Sequence, residues 1–362
     1  MIEYLQINSF KRFAEHRFKC APLTILAGMN GAGKTSVIHA LVLLHLASSR
    51  VDGVVPLNGP YGLDLGTFED IQNWDAPEQI VFEVLETGQA PSRWKFHSGQ
   101  TALFADLIEV PHSIPLGFHA GRRMFQYLSA ERLGPRSTLG AAALPADMLE
   151  VGCRGEYCAQ VMQVLGNETV PEARLCPDAQ EDAAPLLKFE VERWLSRIAR
   201  PVQIDVESLP IGTVSALRFR VPGGEWVRPP NMGFGITYAL PVVVAALTAG
   251  EDGIVIVENP EAHLHPAGQS QMGYFLAKMA AAGVQIVVET HSDHLINGIR
   301  RAIGEHRLLP ANAAVVHFFD SSDSLPQLLS FTETGGMDAW PRGFFDQYQI
   351  DVAALTRVRR PR

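Results

Sequence analysis

Gly28-Met29-Asn30-Gly31-Ala32-Gly33-Lys34-Thr35 satisfies the pattern G-x-x-x-x-G-K-[ST] at every fixed position. These residue types in this order suit the holding of linked phosphates. Glycines let the backbone wrap close to an anion with its N–H groups turned inward. A helix starting at the end of the loop adds partial positive charge. Lys34 has the reach for the β- and γ-phosphates, and the Thr35 hydroxyl is a ligand for Mg²⁺. The expected binding set is Gly28, Asn30, Gly31, Ala32, Gly33, Lys34, Thr35 and Ser36, and the expected cofactors are ATP and Mg²⁺.

Two further stretches carry polar residues at the ends of apolar runs. "IVIVENPEAHLHP" (Ile254 to Pro266) places Glu258 at the close of such a run. Open α/β sheets bind ligands at the C-terminal ends of their strands, so Glu258 is the expected partner of Mg²⁺, through a water. "VQIVVETHSDHLINGIRRAI" begins at Val284 and puts His291 at its tip, where a γ-phosphate contact is needed. Glu261, His263 and His265 invite a metal reading. Their spacing lacks the helical H-E-x-x-H arrangement, so a polar turn beside the nucleotide is the expectation.

These residues require strands that end at one edge and helices that follow them. "LTIL" reads as a short buried strand, and "TSVIHALVLLHL" repeats apolar residues at helical spacing. "GIVIVE" reads as a fully buried parallel strand. "ITYALPVVVAAL" reads as a helix, and "LLKFEVERWLSRIARPVQIDVESL" as an amphipathic helix followed by a strand in an insertion. The composition is globular, with 47% hydrophobic and 19% charged residues in 362. No apolar run reaches membrane-spanning length, and the N-terminus lacks the regions of a signal peptide, so a cytoplasmic location is expected. A net charge of −9 argues against a uniformly basic surface for nucleic acid. "RVRRPR" (Arg357 to Arg362) is a local basic patch, read as a solvated tail. Cys153 and Cys158 stand five apart, which is not a usual zinc spacing. With Cys20 and Cys176 they are expected to be reduced structural thiols.

"GMNGAGKTS", "VENPEAHLHP" and "VVETHSDHLINGIR" resemble the Walker A, Walker B with D-loop, and H-loop motifs of ABC-type ATPases. The closest branch is the soluble OLD-like, RecF-like and SMC-like group. "NMGFGITYALPVV" (Asn231 to Val243) resembles that group's divergent signature. "LNGPYGLDLGTFEDI" and "YLSAERLGPR" resemble segments of small OLD-like ATPases encoded with bacterial anti-phage systems. The resemblance covers most of the chain and is weak from about 140 to 210.

The resemblance implies an α/β P-loop NTPase fold of the ABC-ATPase type, a mixed sheet flanked by helices with a smaller helical insertion lobe. The implied divisions are 1–140 with Walker A, 141–215 as insertion, and 216–362 with signature, Walker B, D-loop and H-loop. Two subunits would pair head to tail around two ATP molecules, Gly233 and Gly235 of one approaching the γ-phosphate held by the other. Aligned this way, Glu258 stands for the group's aspartate and Asn259 for its catalytic glutamate. An amide cannot accept a proton from water, and losing a general base costs about 10²–10⁴-fold. Either Glu261 takes over as base or His291 helps position the water, and slow ATP hydrolysis is expected. The expected role is a dimeric or higher-order switch for a separately encoded effector in anti-phage defence. The alternatives are an ATPase acting on DNA directly and a scaffold that hydrolyses little. No long heptad array is present, so the chain is not an SMC-type rod. The sequence ends soon after "AAVVHFF" (Ala313 to Phe319) and the next strand, leaving little room for the nuclease domain of OLD proteins.

Overall fold

The site is carried by a six-stranded sheet ordered Gln327–Ser330, Ala314–Phe319, Leu23–Gly28, Gln285–Thr290, Ile254–Glu258, Phe125–Leu128. Every residue of Ile254–Glu258, Gln285–Thr290 and Ala314–Phe319 is buried. That is why these segments read as continuous apolar runs instead of alternating ones. The central neighbours pair in parallel, Leu23 opposite both Ile286 and Ala314, and Ile254 opposite Gln285. Gln327–Ser330 closes one edge antiparallel. The sheet is therefore mixed and flanked by helices, as expected for a P-loop NTPase. This computed structural model describes all residues except 51, 77, 100, 180–182, 210–213, 322–323, 346 and 359–362. Most of the basic stretch Arg357–Arg362 thus lies outside the described residues.

Parallel strands need crossover connections. Helices Pro266–Ala281 and Asp293–Gly304 supply them between the strands of the C-terminal part, while Lys34–Ser48 leads from Leu23–Gly28 to a second sheet. Pro266–Ala281 and Asp293–Gly304 cross closely because of two glycines. A Cβ on Gly298 would lie 1.9 Å from the Ser270 oxygen, and one on Gly273 would lie 2.1 Å from the Leu295 oxygen.

A second, antiparallel sheet is ordered Phe13–Lys19, Ile2–Phe10, Ile80–Glu86, Ser92–Ser98, Phe104–Glu109, Val54–Pro56. Its inward residues Leu5, Ile7, Phe82 and Phe96 share a hydrophobic cluster with Ile38, Leu41 and Leu44 of helix Lys34–Ser48. That helix is apolar all round because it is covered on all sides.

A third sheet of three strands, Gln203–Leu209, Val214–Arg220 and Thr138–Gly140, stands with helices Cys158–Leu165 and Leu187–Ile198. Leu187–Ile198 buries Leu187, Val191, Trp194, Leu195 and Ile198 on one face. This lobe joins the cluster of helix Phe234–Thr248. Its strands run from residue 138 to residue 220. Leu23–Gly28, from the N-terminal third, lies between strands from the C-terminal third. The tertiary sheet thus interleaves segments that a division along the sequence separates. Among the described residues, no helix is long and apolar enough to cross a membrane. Cys20, Cys153, Cys158 and Cys176 are free thiols.

Candidate functional site

The phosphate loop is shaped by three left-handed glycines. Gly28 has φ 124°, and a Cβ there would lie 2.1 Å from the Phe319 oxygen. Gly31 has φ 72°, with open space where a side chain would be. Gly33 has φ 96° and begins helix Lys34–Ser48. Asn30 and Gly31 are exposed, while Ala32, Lys34 and Ser36 are buried. Thr35 occupies the first turn of the helix, so all the residues expected to bind phosphate share one loop and one helical turn. Arg12, from the hairpin turn between Ile2–Phe10 and Phe13–Lys19, braces the loop by donating to the Ala32 oxygen and, at 2.9 Å, to the Ser321 oxygen.

Lys34 is 3% exposed. Its Nζ donates to the oxygens of Gly28 (3.1 Å) and Met29 (2.6 Å) and lies 3.6 Å from Glu289 Oε1. The strand beside the loop is Gln285–Thr290, and Ile254–Glu258 lies one strand further away. Glu289, 5% exposed, is therefore the carboxylate that meets Lys34, with Glu258 opposite it in register. Burial, then the charge of Glu258, pushes the Glu289 carboxyl up to about 7 against the opposing pull of Lys34.

Glu258 Oε1 accepts the Tyr127 hydroxyl at 2.6 Å, and burial raises its pKa. Glu261 Oε1 accepts the His291 backbone N–H at 2.9 Å. Glu261 Oε2 is buried with no hydrogen-bond partner among the described residues. Burial raises the Glu261 pKa, opposed first by the His291 N–H. His291 Nε2 lies 3.9 Å from Glu289 Oε1, and burial and Lys34 both lower its pKa. Its ring is therefore neutral near pH 7.

Asn259 adopts φ 45°, a left-handed conformation that asparagine tolerates better than glutamate does. Its N–H donates to the Glu289 oxygen at 2.9 Å, and its own oxygen accepts from Ala262 at 3.1 Å and from Arg132 at 2.6 Å. Asparagine at this position thus answers a demand of the turn. Arg132, 3% exposed, also donates to the oxygens of Glu258 (2.6 Å) and Ser129 (3.0 Å).

Glu289, Arg132 and Tyr127 were not singled out from the sequence. Glu289 had a usable signal, an acid ending an apolar run beside His291. Tyr127 and Arg132 lie in "YLSAERLGPR", a segment that carried a resemblance without a role, because nothing along the chain relates them to Glu258.

Gly233 (φ 104°, ψ 157°) precedes helix Phe234–Thr248, with open space where a side chain would be. A Cβ on Gly235 would lie 3.0 Å from the His263 oxygen. His263 packs its ring on Tyr238 and Phe234, and His265 accepts from the Ala267 N–H at 3.4 Å as a helix cap. Among the described residues, no group of three or more His, Cys, Asp and Glu is arranged to hold a metal ion by itself. Mg²⁺ commonly takes one or two protein carboxylates and completes its shell with water and substrate phosphates. The oxygen donors Thr35, Glu258 and Glu289 fit that requirement, and the unpartnered Glu261 oxygen leaves carboxylate capacity beside them.

Residues 175–297 match the family described as "AAA domain, putative AbiEii toxin, Type IV TA system", and residues 309–355 match a family described as a protein of unknown function. The chain is 25% identical over 337 residues to the OLD nuclease of Thermus scotoductus, an alignment covering 81% of this chain and 59% of that protein. Among solved structures it is similar to the SMC head domain from Thermotoga maritima, with TM-score 0.43, 10% identity, and 91% and 99% of the two chains covered. It is also similar to the Smc head domain with an extended coiled coil from Pyrococcus furiosus, with TM-score 0.47, 11% identity, and 99% of each chain covered. The family match over residues 175–297, the relative and the loop built on Gly28–Ser36 agree in making this chain similar to P-loop ATPases of the OLD-like type.

Proposed function

We propose that the chain binds ATP with Mg²⁺, pairs with a second copy around the nucleotide, hydrolyses it slowly and thereby switches a separate effector protein. The carrying observation is the buried group formed by Lys34, Glu289, Glu258 and Glu261 at the strand tips beside the phosphate loop. Buried carboxylates with raised pKa values beside a lysine are costly to keep for structure alone, and such groups cluster where chemistry occurs. Loop amides and Lys34 would hold the phosphates, and Thr35 with Glu258 would hold Mg²⁺. The metal, when bound, supplies charge that offsets the phosphate oxygens. Glu289 or Glu261 would take the proton of the attacking water, with His291 orienting it. Asn259 cannot serve as base. Gly233 and Gly235 would meet the partner's nucleotide, leaving little room for any side chain larger than hydrogen.

The effector is proposed to be a toxin or nuclease acting against phage. The matched family is described by a toxin, and the relative, of which this chain spans 59% of the length, is a nuclease. Direct action on DNA finds less support. Arg193, Arg197 and Arg218 of the insertion lobe pair with Glu190, Asp178 and Asp205 and present no unneutralised stripe. A scaffold that hydrolyses little is the second reading, favoured by the left-handed turn at Asn259.

Single-turnover hydrolysis of Mg²⁺-ATP tests the proposal. Glu289→Gln and Glu261→Gln are expected to separate, the true base costing about 10²-fold or more and the other less than about tenfold. ATP affinity is expected to survive both. Bound ATP intact after many hours in the unsubstituted protein would select the scaffold. Co-purification with the products of flanking genes identifies the effector.

A further inference from the structure

The carboxylate turn and the signature helix of one chain are joined by a buried arginine and an aromatic cluster. Arg132 donates to the main-chain oxygens of Ser129, Glu258 and Asn259, while its Nε has no partner among the described residues. Its guanidinium carbon lies 5.6 Å from the centre of the Tyr238 ring. Tyr238 belongs to helix Phe234–Thr248, which Gly233 introduces. The ring of His263 lies 4.5 Å from that of Tyr238 and 5.2 Å from that of Phe234. His263 stands in the same turn as Asn259 and has φ 62°. Gly134 packs on the same rings, since a Cβ there would lie 3.4 Å from Phe234.

Arg132 thus fixes two successive carbonyls of the turn that carries Glu258 and Asn259, while its guanidinium lies over the Tyr238 ring of the helix that starts at the signature glycines. A planar fork can do both at once, which a lysine cannot. Among the described residues the guanidinium bonds only to carbonyl oxygens, and its charge is balanced at longer range by Glu261 and Glu258.

We propose that Arg132 is a positioning residue that ties the backbone of Glu258 and Asn259 to the signature helix through Tyr238. Engagement of Gly233 and Gly235 by a partner's nucleotide is thereby transmitted to the hydrolytic turn of the same subunit. The inference rests on the reading of the chain as a pairing ATPase. It assigns the coupling between the two nucleotide sites to one named contact.

A double-mutant cycle on the full chain tests it, with kcat, ATP affinity and melting temperature measured for each variant. Arg132→Lys and Tyr238→Leu are each expected to lower kcat about tenfold with ATP affinity within about threefold, and the double variant is expected to lose about tenfold, not about a hundredfold. Tyr238→Phe keeps the ring face and is expected to match the unsubstituted protein. Multiplying losses, or Tyr238→Leu at full kcat, would overturn the inference while leaving the ATPase reading in place. If Arg132→Lys fails to fold, Tyr238→Leu decides alone, since it leaves every guanidinium hydrogen bond intact. An unsubstituted protein that binds ATP and turns none over would overturn both.

Discussion

At the scale of single residues, Lys34 and Asn259 make opposite predictions. Lys34 is buried with its ammonium on loop carbonyls and 3.6 Å from Glu289, so it is already aimed at the loop's interior. Lys34→Ala is expected to abolish ATP binding. In calorimetry, ATP at a hundred times its Kd raises the unsubstituted protein's stability by about 2.7 kcal/mol, and the variant should show no such rise. Undiminished ATP affinity in a folded Lys34→Ala protein would remove the site. Asn259 stands where a catalytic glutamate is expected, yet its φ of 45° makes glutamate a poor occupant. Asn259→Glu is expected to cost about 1 kcal/mol of stability and to give no gain in single-turnover rate. Asn259→Gly should be neutral in stability. A faster Asn259→Glu enzyme would show that the turn can yield and that the missing base limits the rate.

At the scale of elements, the helices behind the sheet depend on close backbone approach. Gly298 touches the main chain at Ser270, so its methyl derivative must push two helices apart. Gly298→Ala is expected to lower stability by about 1–3 kcal/mol, read as a shift in the denaturation midpoint at unchanged slope. The loop carrying Glu150 offers a pH test. Burial pushes the Glu150 carboxyl up to about 7, with Arg123 opposing. The folded pKa is raised above its value of 4.5, so the native state binds the extra proton. Its contribution is fully present below about pH 4.5 and is lost as pH rises through about 7. Glu150→Gln cannot lose that proton. Its stability relative to the unsubstituted protein should climb between pH 4.5 and 7 and stay level above. A flat difference across that range would mean that the carboxyl is not buried in solution.

At the scale of the whole molecule, the charge of −9 sets a condition on pairing. Two like-charged copies repel, and salt screens that repulsion, the screening length falling from about 30 Å at 0.01 M to about 10 Å at 0.1 M. ATP-dependent pairing, followed by light scattering with a non-hydrolysable analogue, is therefore expected to strengthen over this range. Weakening would indicate complementary charges across the interface. Gly235→Asp should block pairing at any salt concentration, because its carboxylate would meet both the partner's phosphate and the His263 carbonyl 3.0 Å from the new Cβ.

The sequence by itself determined the local elements and the phosphate loop. A strand, a glycine turn and a helix within Leu23–Ser48 are contiguous, so spacing alone reveals them. The buried strands Ile254–Glu258 and Gln285–Thr290 were legible for the same reason, their apolar runs being unbroken. Tertiary structure alone decided which carboxylate faces Lys34. The order of strands in a sheet is not written in their order along the chain, and placing Gln285–Thr290 between the loop and Glu258 brings Glu289 forward. The backbone at Asn259 was equally hidden, because its left-handed turn is held by Arg132, 127 residues away, and by the Glu289 carbonyl of the neighbouring strand. Residue types announce chemistry over short spacings. Hydrogen bonds between distant segments decide which of those residues can perform it.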